Sequence, residues 1–217
     1  MDFLPVYTYF IGLSFLISII VLNRKSPFYL KIFSPFLLLT FLVEAYASYL
    51  STINKPNIVI YNFFSAFEFS FYLFWISYLF RNQKVKKLSR LCVVLYSCAA
   101  TINILFIQGV DAFHTTSYAA GCLVLVAFCI YYFYELFKFP GAGKLERNPA
   151  FWISTGLLFF YCCGFPLWGL MNFWSGKLKY LIENLAMITN ILNSLLYSLF
   201  TIAYLCSRTR NSISLSS

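Results

Sequence analysis

Residues 58–80 read IVIYNFFSAFEFSFYLFWISYLF, an apolar stretch with one charged residue, Glu68, near its centre. A helix of this length, rising about 1.5 Å per residue, crosses the roughly 30 Å of hydrocarbon in a bilayer. Four further residues share the helical face of Glu68 at three- and four-residue spacing: Tyr61, Ser65, Tyr72 and Trp75. Because a carboxyl that faces lipid costs a few kcal/mol, the sequence predicts that this face meets other helices.

The overall composition points the same way. The chain has 217 residues, of which 61% are hydrophobic and 11% charged. A soluble domain carries roughly 25% charged residues, so the composition predicts an integral membrane protein. The net charge is +9, but the basic residues lie in short runs beside apolar stretches. This arrangement indicates orientation in a lipid bilayer and no nucleic-acid partner.

Apolar runs of transmembrane length recur along the whole chain. Seven can be counted: 4–22, 30–50, 58–80, 90–110, 117–137, 150–174 and 180–206. The connections between them are short. The sequence therefore predicts an all-α polytopic membrane protein in which residues 1–217 form a single seven-transmembrane-helix bundle. Pro166 is expected to kink the sixth helix.

The basic residues are distributed unevenly over the connections. Thirteen of the sixteen Lys and Arg residues fall in the first, third and fifth connections and in the C-terminal tail. By the positive-inside rule this bias predicts a bundle with its N-terminus outside and its C-terminus inside. The third connection is the most basic, with Arg81, Lys84, Lys86, Lys87 and Arg90. A signalling protein on the inner side would be expected to dock on this basic face.

Polar side chains gather at similar depths in the outer half of the predicted bundle. Counting about 1.5 Å per residue from the outer end of each span brings together carboxyl, amide and hydroxyl groups of four spans. The candidate ligand or ion pocket consists of Glu44, Asn62, Ser65, Glu68, Tyr72, Asn103, Asn190, Asn193 and Tyr197. Such a cluster is either a polar network that fixes helix packing or a functional site, which is the default meaning of ionisable groups inside a membrane.

Other polar residues are expected to have structural roles. His114, the only histidine, is expected at the outer interface, and Glu135 is expected to form an interfacial ion pair with Lys138. The seven cysteines are interpreted as small apolar filling residues. No catalytic, phosphate-binding or metal-binding motif is found. The sequence therefore predicts no catalytic residue, no metal ligand and no cofactor, and it does not indicate an enzyme.

Three segments carry a resemblance to a known group of proteins. They are YNFFSAFEFSFYLF (61–74), TTSYAAGCLVLVAFCIYYFYELF (115–137) and NPAFWISTGLLFFYCCGFPLWGL (148–170). These segments resemble a family of small seven-helix membrane proteins of Bacteroidota-type bacteria, to which no function is attached. The resemblance implies an integral protein of the bacterial inner (cytoplasmic) membrane, and it transfers no functional residues.

Three functions stay open at this point. The leading hypothesis is a receptor- or sensor-like protein that binds a small or lipophilic ligand in the outer-half polar and aromatic pocket and acts through a partner protein. The alternative is a small proton- or ion-coupled carrier, since carriers place their sites near the bilayer midplane. The third is a structural or assembly protein without a ligand, which would form a closed bundle with no cavity at Glu68.

Overall fold

A computed structural model describes residues 4–139, 145–169 and 179–213, without the side chains of 179–183 and 208–213. This part of the chain is helical and contains no strand. Its α-helices are α1 Val6–Val21, α2 Phe28–Thr52, α3 Ile58–Ser77, α4 Gln83–Ile102, α5 Thr115–Lys138, α6 Pro149–Gly164 and α7 Lys179–Ile213. The predicted end of the sixth run, 170–174, lies outside the described residues.

Six of these helices are long and apolar enough to cross a membrane. They are α2 to α7, with α4 and α6 prolonged by the π-helical segments Asn103–Ile107 and Phe165–Gly169. The first run forms a shorter apolar helix, since the 16 residues of α1 rise only about 24 Å. The all-α class is thus confirmed, and six of the seven predicted spans reach membrane-spanning length.

The start of α4 differs from the prediction. The basic residues between Lys84 and Arg90 do not fill a connection but form the first turns of α4, which begins at Gln83. The side chain of Asn82 caps the helix by accepting a hydrogen bond from the backbone N–H of Lys84 at 2.9 Å. Lys and Arg are good helix formers, so a capping Asn before them extends the helix beyond the apolar run.

Helix α3 occupies the middle of the bundle. It packs against α2, α4 and α5, whereas α7 packs against both α1 and α6. On α3, Tyr72 and Trp75 are completely buried, while Phe63 and Phe67 on the other side are nearly half exposed. The face that carries Glu68 therefore points to other helices.

The contact between α3 and α5 requires a glycine. A Cβ atom added at Gly121 would lie 2.8 Å from the ring of Phe69, closer than real Cβ contacts. The Phe69 ring lies against Tyr118 and Tyr161, with centroid distances of 5.2 and 4.8 Å. This close approach packs aromatic residues of α5 and α6 against the same ring of α3.

Glu135 has a different role from the expected one. Its carboxylate accepts hydrogen bonds from the backbone N–H groups of Arg81 and Asn82, at 2.9 and 3.1 Å. Lys138 donates instead to the hydroxyl of Tyr134 at 3.0 Å. The predicted ion pair between Glu135 and Lys138 is wrong because the unpaired N–H groups at the start of α4 attract the carboxylate.

The predicted irregularity at Pro166 takes the form of a change of helix type. Helix α6 ends at Gly164 and continues as the π-helical segment Phe165–Gly169. Proline has no N–H to donate to the preceding turn, and its ring clashes with the carbonyl of the residue four positions earlier. A wider π-helical turn accommodates both effects.

Candidate functional site

A cavity of about 360 Å³ lies between the helices. Its wall takes residues from α1, α2, α3, α5 and α7, from the connection before α5, and from α6 with its π-helical extension. Eight aromatic side chains and the two carboxyl groups of Glu44 and Glu68 contribute to this wall. The volume falls in the range of small-molecule sites, roughly 300–1,000 Å³.

The cavity lies toward one end of the bundle, which we call the cavity end. This end holds the α2–α3 connection, 53–57, and the α4–α5 connection, 108–114. Asn57 and Phe113 from these two connections line the cavity. Glu68 lies ten residues after Ile58, the first residue of α3, and so about 15 Å further along the helix. It lines the part of the cavity that is deepest in the bundle. The basic first turns of α4 lie at the opposite end of the bundle.

Glu44 is held by two tyrosines from neighbouring helices. The hydroxyl groups of Tyr7 and Tyr61 both donate to its Oε2 atom, at 2.7 and 3.0 Å. All three side chains line the cavity. A single carboxyl oxygen thus connects α1, α2 and α3, and it does so in the cavity wall.

Glu68 has a second set of phenols around it. The hydroxyl of Tyr72, one helical turn further along α3, donates to its Oε1 atom at 3.1 Å. The hydroxyl of Tyr161 on α6 interacts electrostatically with the same carboxyl. Both tyrosines are buried, and neither brings a positive charge to the carboxyl.

His114 is the centre of a network that the sequence did not reveal. It lies in the connection between α4 and α5, where the sequence placed it, but it is completely buried among protein side chains. Its ring nitrogens lie 2.6 Å from the hydroxyl of Ser65 and 2.7 Å from that of Ser117. Burial lowers the pKa of His114 to about 4, so the ring is neutral at pH 7. Ser65 also lines the cavity and so connects the network to it.

Asn62 and Asn103 belong to this network. The amide of Asn62 donates to the carbonyl groups of Val110 and Ala112 at 2.9 and 2.8 Å, and its oxygen accepts from the backbone N–H of His114. Asn103 donates to the Ser117 hydroxyl at 2.9 Å. The two amides therefore hold the α4–α5 connection and do not face the cavity.

The structure divides the predicted site residues into three groups. Those that line the cavity are Glu44, Ser65, Glu68, Asn193 and Tyr197. Those that lie behind it are Tyr72, which bonds Glu68, and the two network amides Asn62 and Asn103. Asn190 donates to the carbonyl of Ala186 on its own helix.

Several wall residues were not predicted. Tyr7 of α1 and Trp168 of the π-helical segment are the clearest cases. Neither carries a charge or a motif that distinguishes it from the many other aromatic residues of the chain. Tyr61, by contrast, lies on the same helical face as Glu68, and this spacing was visible in the sequence.

Comparison of the chain with protein-family models, with curated proteins and with solved structures found no match. The described ranges define a class of protein: they are helical and contain six helices of membrane-spanning length. Its function has to be inferred from the chemistry of the cavity.

Proposed function

We propose that the chain is an integral membrane protein of the receptor or sensor type, which binds a small or lipophilic ligand in the cavity and acts through a partner protein. The observation that carries this proposal is the cavity of about 360 Å³ whose wall contains Glu44 and Glu68. A purely structural bundle has no need of a void of this size, since protein interiors are packed like crystals. The cavity at Glu68 also argues against the closed bundle expected of an assembly protein.

The distribution of basic residues supports access from outside the cell. The basic first turns of α4 lie opposite the cavity end, and the positive-inside rule assigns such a basic end to the cytoplasm. The cavity end then faces outward, with the N-terminus outside and the C-terminus inside. The resemblance to bacterial proteins makes the inner membrane the proposed location.

The basic end of the bundle is the proposed partner site. Arg81, Lys84, Lys87 and Arg90 are exposed there. The guanidinium group of Arg90 lies 5.7 Å from the ring centroid of Tyr78, which holds that charge close to the end of α3. A partner with an acidic surface fits this face.

Cysteine accessibility tests the cavity and its direction. With the native cysteines replaced, Asn193→Cys should react with a membrane-impermeant thiol reagent added to the outer side, because Asn193 lines the cavity. Leu192→Cys, next to it on α7 and 8% exposed, is the matched control and should stay unmodified. Reaction from the inner side only, or no reaction, would contradict the outward-facing cavity.

The carrier alternative is supported by one specific observation. Two spans end in π-helical segments, Asn103–Ile107 and Phe165–Gly169, and both lie at the cavity end. Carriers commonly have spans that depart from α-helical geometry beside their site, and here the departure is at the ends of two spans. Solute uptake into vesicles that depends on a pH gradient, and that is lost in Glu68→Gln, would favour the carrier over the receptor.

A further inference from the structure

We propose that the cavity binds an organic ammonium ion, a small molecule in which an apolar or aromatic group carries a positively charged nitrogen. The inference rests on the proposed function, since it names the ligand class of the same cavity. It is argued from the charge, the aromatic wall and the polar groups of the cavity.

The described wall has two acidic groups and no basic group. Glu44 and Glu68 both line the cavity, and none of the described lining residues is Lys, Arg or His. Their hydrogen-bond donors are the neutral phenols of tyrosines. A buried carboxylate without a counter-charge is unfavourable, so a cation that enters the cavity gains a complementary environment already in place.

The aromatic side chains of the wall also favour a positively charged ligand. The faces of Trp, Tyr and Phe rings attract cations within about 6 Å and repel anions. Phe113 and Trp168 meet at a centroid distance of 5.8 Å and an interplanar angle of 57°, so they form a corner. Tyr118 lies 5.3 Å from Phe113 and extends this corner. The corner and the carboxyl groups belong to one cavity, which fits a molecule with both apolar and cationic parts.

A metal ion fits the cavity less well than an organic cation. Hard cations bind six or more oxygen atoms at about 2.0–2.6 Å. Here eight of the lining side chains are aromatic, and Oε2 of Glu44 already accepts two hydrogen bonds. The volume of about 360 Å³ also exceeds what one ion needs.

Thr189 adds an unused polar group to the wall. It lines the cavity, and its buried hydroxyl oxygen has no hydrogen-bond partner among the described residues. Buried polar groups normally have a partner, so this hydroxyl is an unsatisfied group at the wall of the cavity, although its oxygen is covered by neighbouring atoms.

The test compares three probes of similar shape and different charge. Isothermal titration of the full chain in detergent at pH 7 would use 2-phenylethylamine, 2-phenylethanol and 3-phenylpropanoate. We expect the amine to bind at least about tenfold more tightly than the alcohol, and the carboxylate not to bind. Equal affinity for the amine and the alcohol would overturn the ammonium inference and leave the cavity as a site for neutral ligands. Binding of none of the three would also overturn it, while the cysteine experiment decides separately on the proposed function.

Variants tie the charge preference to the cavity. Glu68→Gln should weaken amine binding by about tenfold or more and leave alcohol binding unchanged. Glu146→Gln removes an exposed carboxyl at the other end of the bundle and should change neither affinity. If Glu68→Gln does not fold, as judged by size-exclusion chromatography, Glu44→Gln takes its place, with a smaller but measurable loss of amine affinity expected and alcohol binding again unchanged. If Glu68→Gln and Glu44→Gln each fold and each bind the amine with unchanged affinity, the inference is overturned.

Discussion

Tyr7 of α1 donates a hydrogen bond of 2.7 Å to Oε2 of Glu44, 37 residues away on α2. Helix α1 is shorter than the six helices of membrane-spanning length, yet this bond makes it part of the cavity wall. The same oxygen accepts from Tyr61 of α3. The two phenols therefore position the carboxyl and the short helix together.

Removal of the Tyr7 hydroxyl should loosen this arrangement. Tyr7→Phe is expected to lower the free energy of unfolding by roughly 1–2 kcal/mol, because a buried acceptor loses one of its donors. Tyr9→Phe is the matched control on the same helix, since Tyr9 is 63% exposed, and it should have no effect. Denaturation in detergent measures both. An equal loss in the two variants would show that the bond contributes nothing to stability.

The two carboxyl groups should differ in their importance for function. Glu68→Gln keeps the shape of the side chain and is expected to leave insertion and thermal stability nearly unchanged while the cellular function that depends on cation binding or transport is lost. Glu44→Gln, nearer the cavity end and easier to hydrate, should have the milder effect. Insertion, melting temperature and cellular phenotype of both variants measure this. Harmless behaviour of both would contradict a functional role of the cavity carboxyls.

His114 should make stability depend on pH. Its pKa is about 4 in the folded protein and about 6.5 in an unfolded chain, so only the unfolded state takes up the proton between these values. Stability from this residue is therefore complete above about pH 6.5 and falls as the pH decreases to 4, by an amount on the order of 3 kcal/mol. His114→Gln should flatten the curve of melting temperature against pH between 7.5 and 4.5. An unchanged slope would contradict the buried, neutral ring.

Reporter fusions test the proposed orientation. A fusion after Arg210 should be cytoplasmic, and one within Asp111–Thr116 should lie outside, because most basic residues are at the end opposite the cavity. The pair of reporters serves as its own control, since each is active on one side only. The reverse result would overturn the outward-facing cavity, and two reporters active on the same side would overturn the span count.

Glu135 should contribute more to the stability of the protein than its neighbour Lys138. Glu135→Ala leaves the N–H groups of Arg81 and Asn82 without their acceptor and is expected to cost roughly 1–3 kcal/mol of stability. Lys138→Gln removes exposed contacts with Tyr134 and Phe139 and should be nearly neutral. Chemical denaturation of both variants gives the comparison. A neutral Glu135→Ala would show that water replaces the carboxylate.

The sequence was informative about structural features that depend on a single helix. Six of the seven predicted spans form helices of membrane-spanning length among the described residues, because length and hydrophobicity are local properties. The spacing of Ser65, Glu68 and Tyr72 predicted which face of α3 meets other helices for the same reason. The start of α4 was missed because its first turns are basic, and a search for apolar runs ignores them.

The sequence was uninformative where distant segments meet. His114 is buried because Ser65, 49 residues earlier, and Ser117 satisfy both ring nitrogens, and no local pattern predicts such a pairing. The contact of Tyr7 with Glu44 likewise follows from the packing of α1 on α2. Trp168 enters the cavity wall through the π-helical segment, whose register an α-helical count does not give.

The bond from Glu135 to the turn before α4 sets an order of assembly. Asn82 is joined to a carboxylate that lies 53 residues later in the chain, so the ribosome has to synthesise most of α5 before this acceptor exists. Until then the turn between α3 and α4 lacks the acceptor of its two N–H groups. We therefore expect this turn to reach its final form only after α5 has been synthesised.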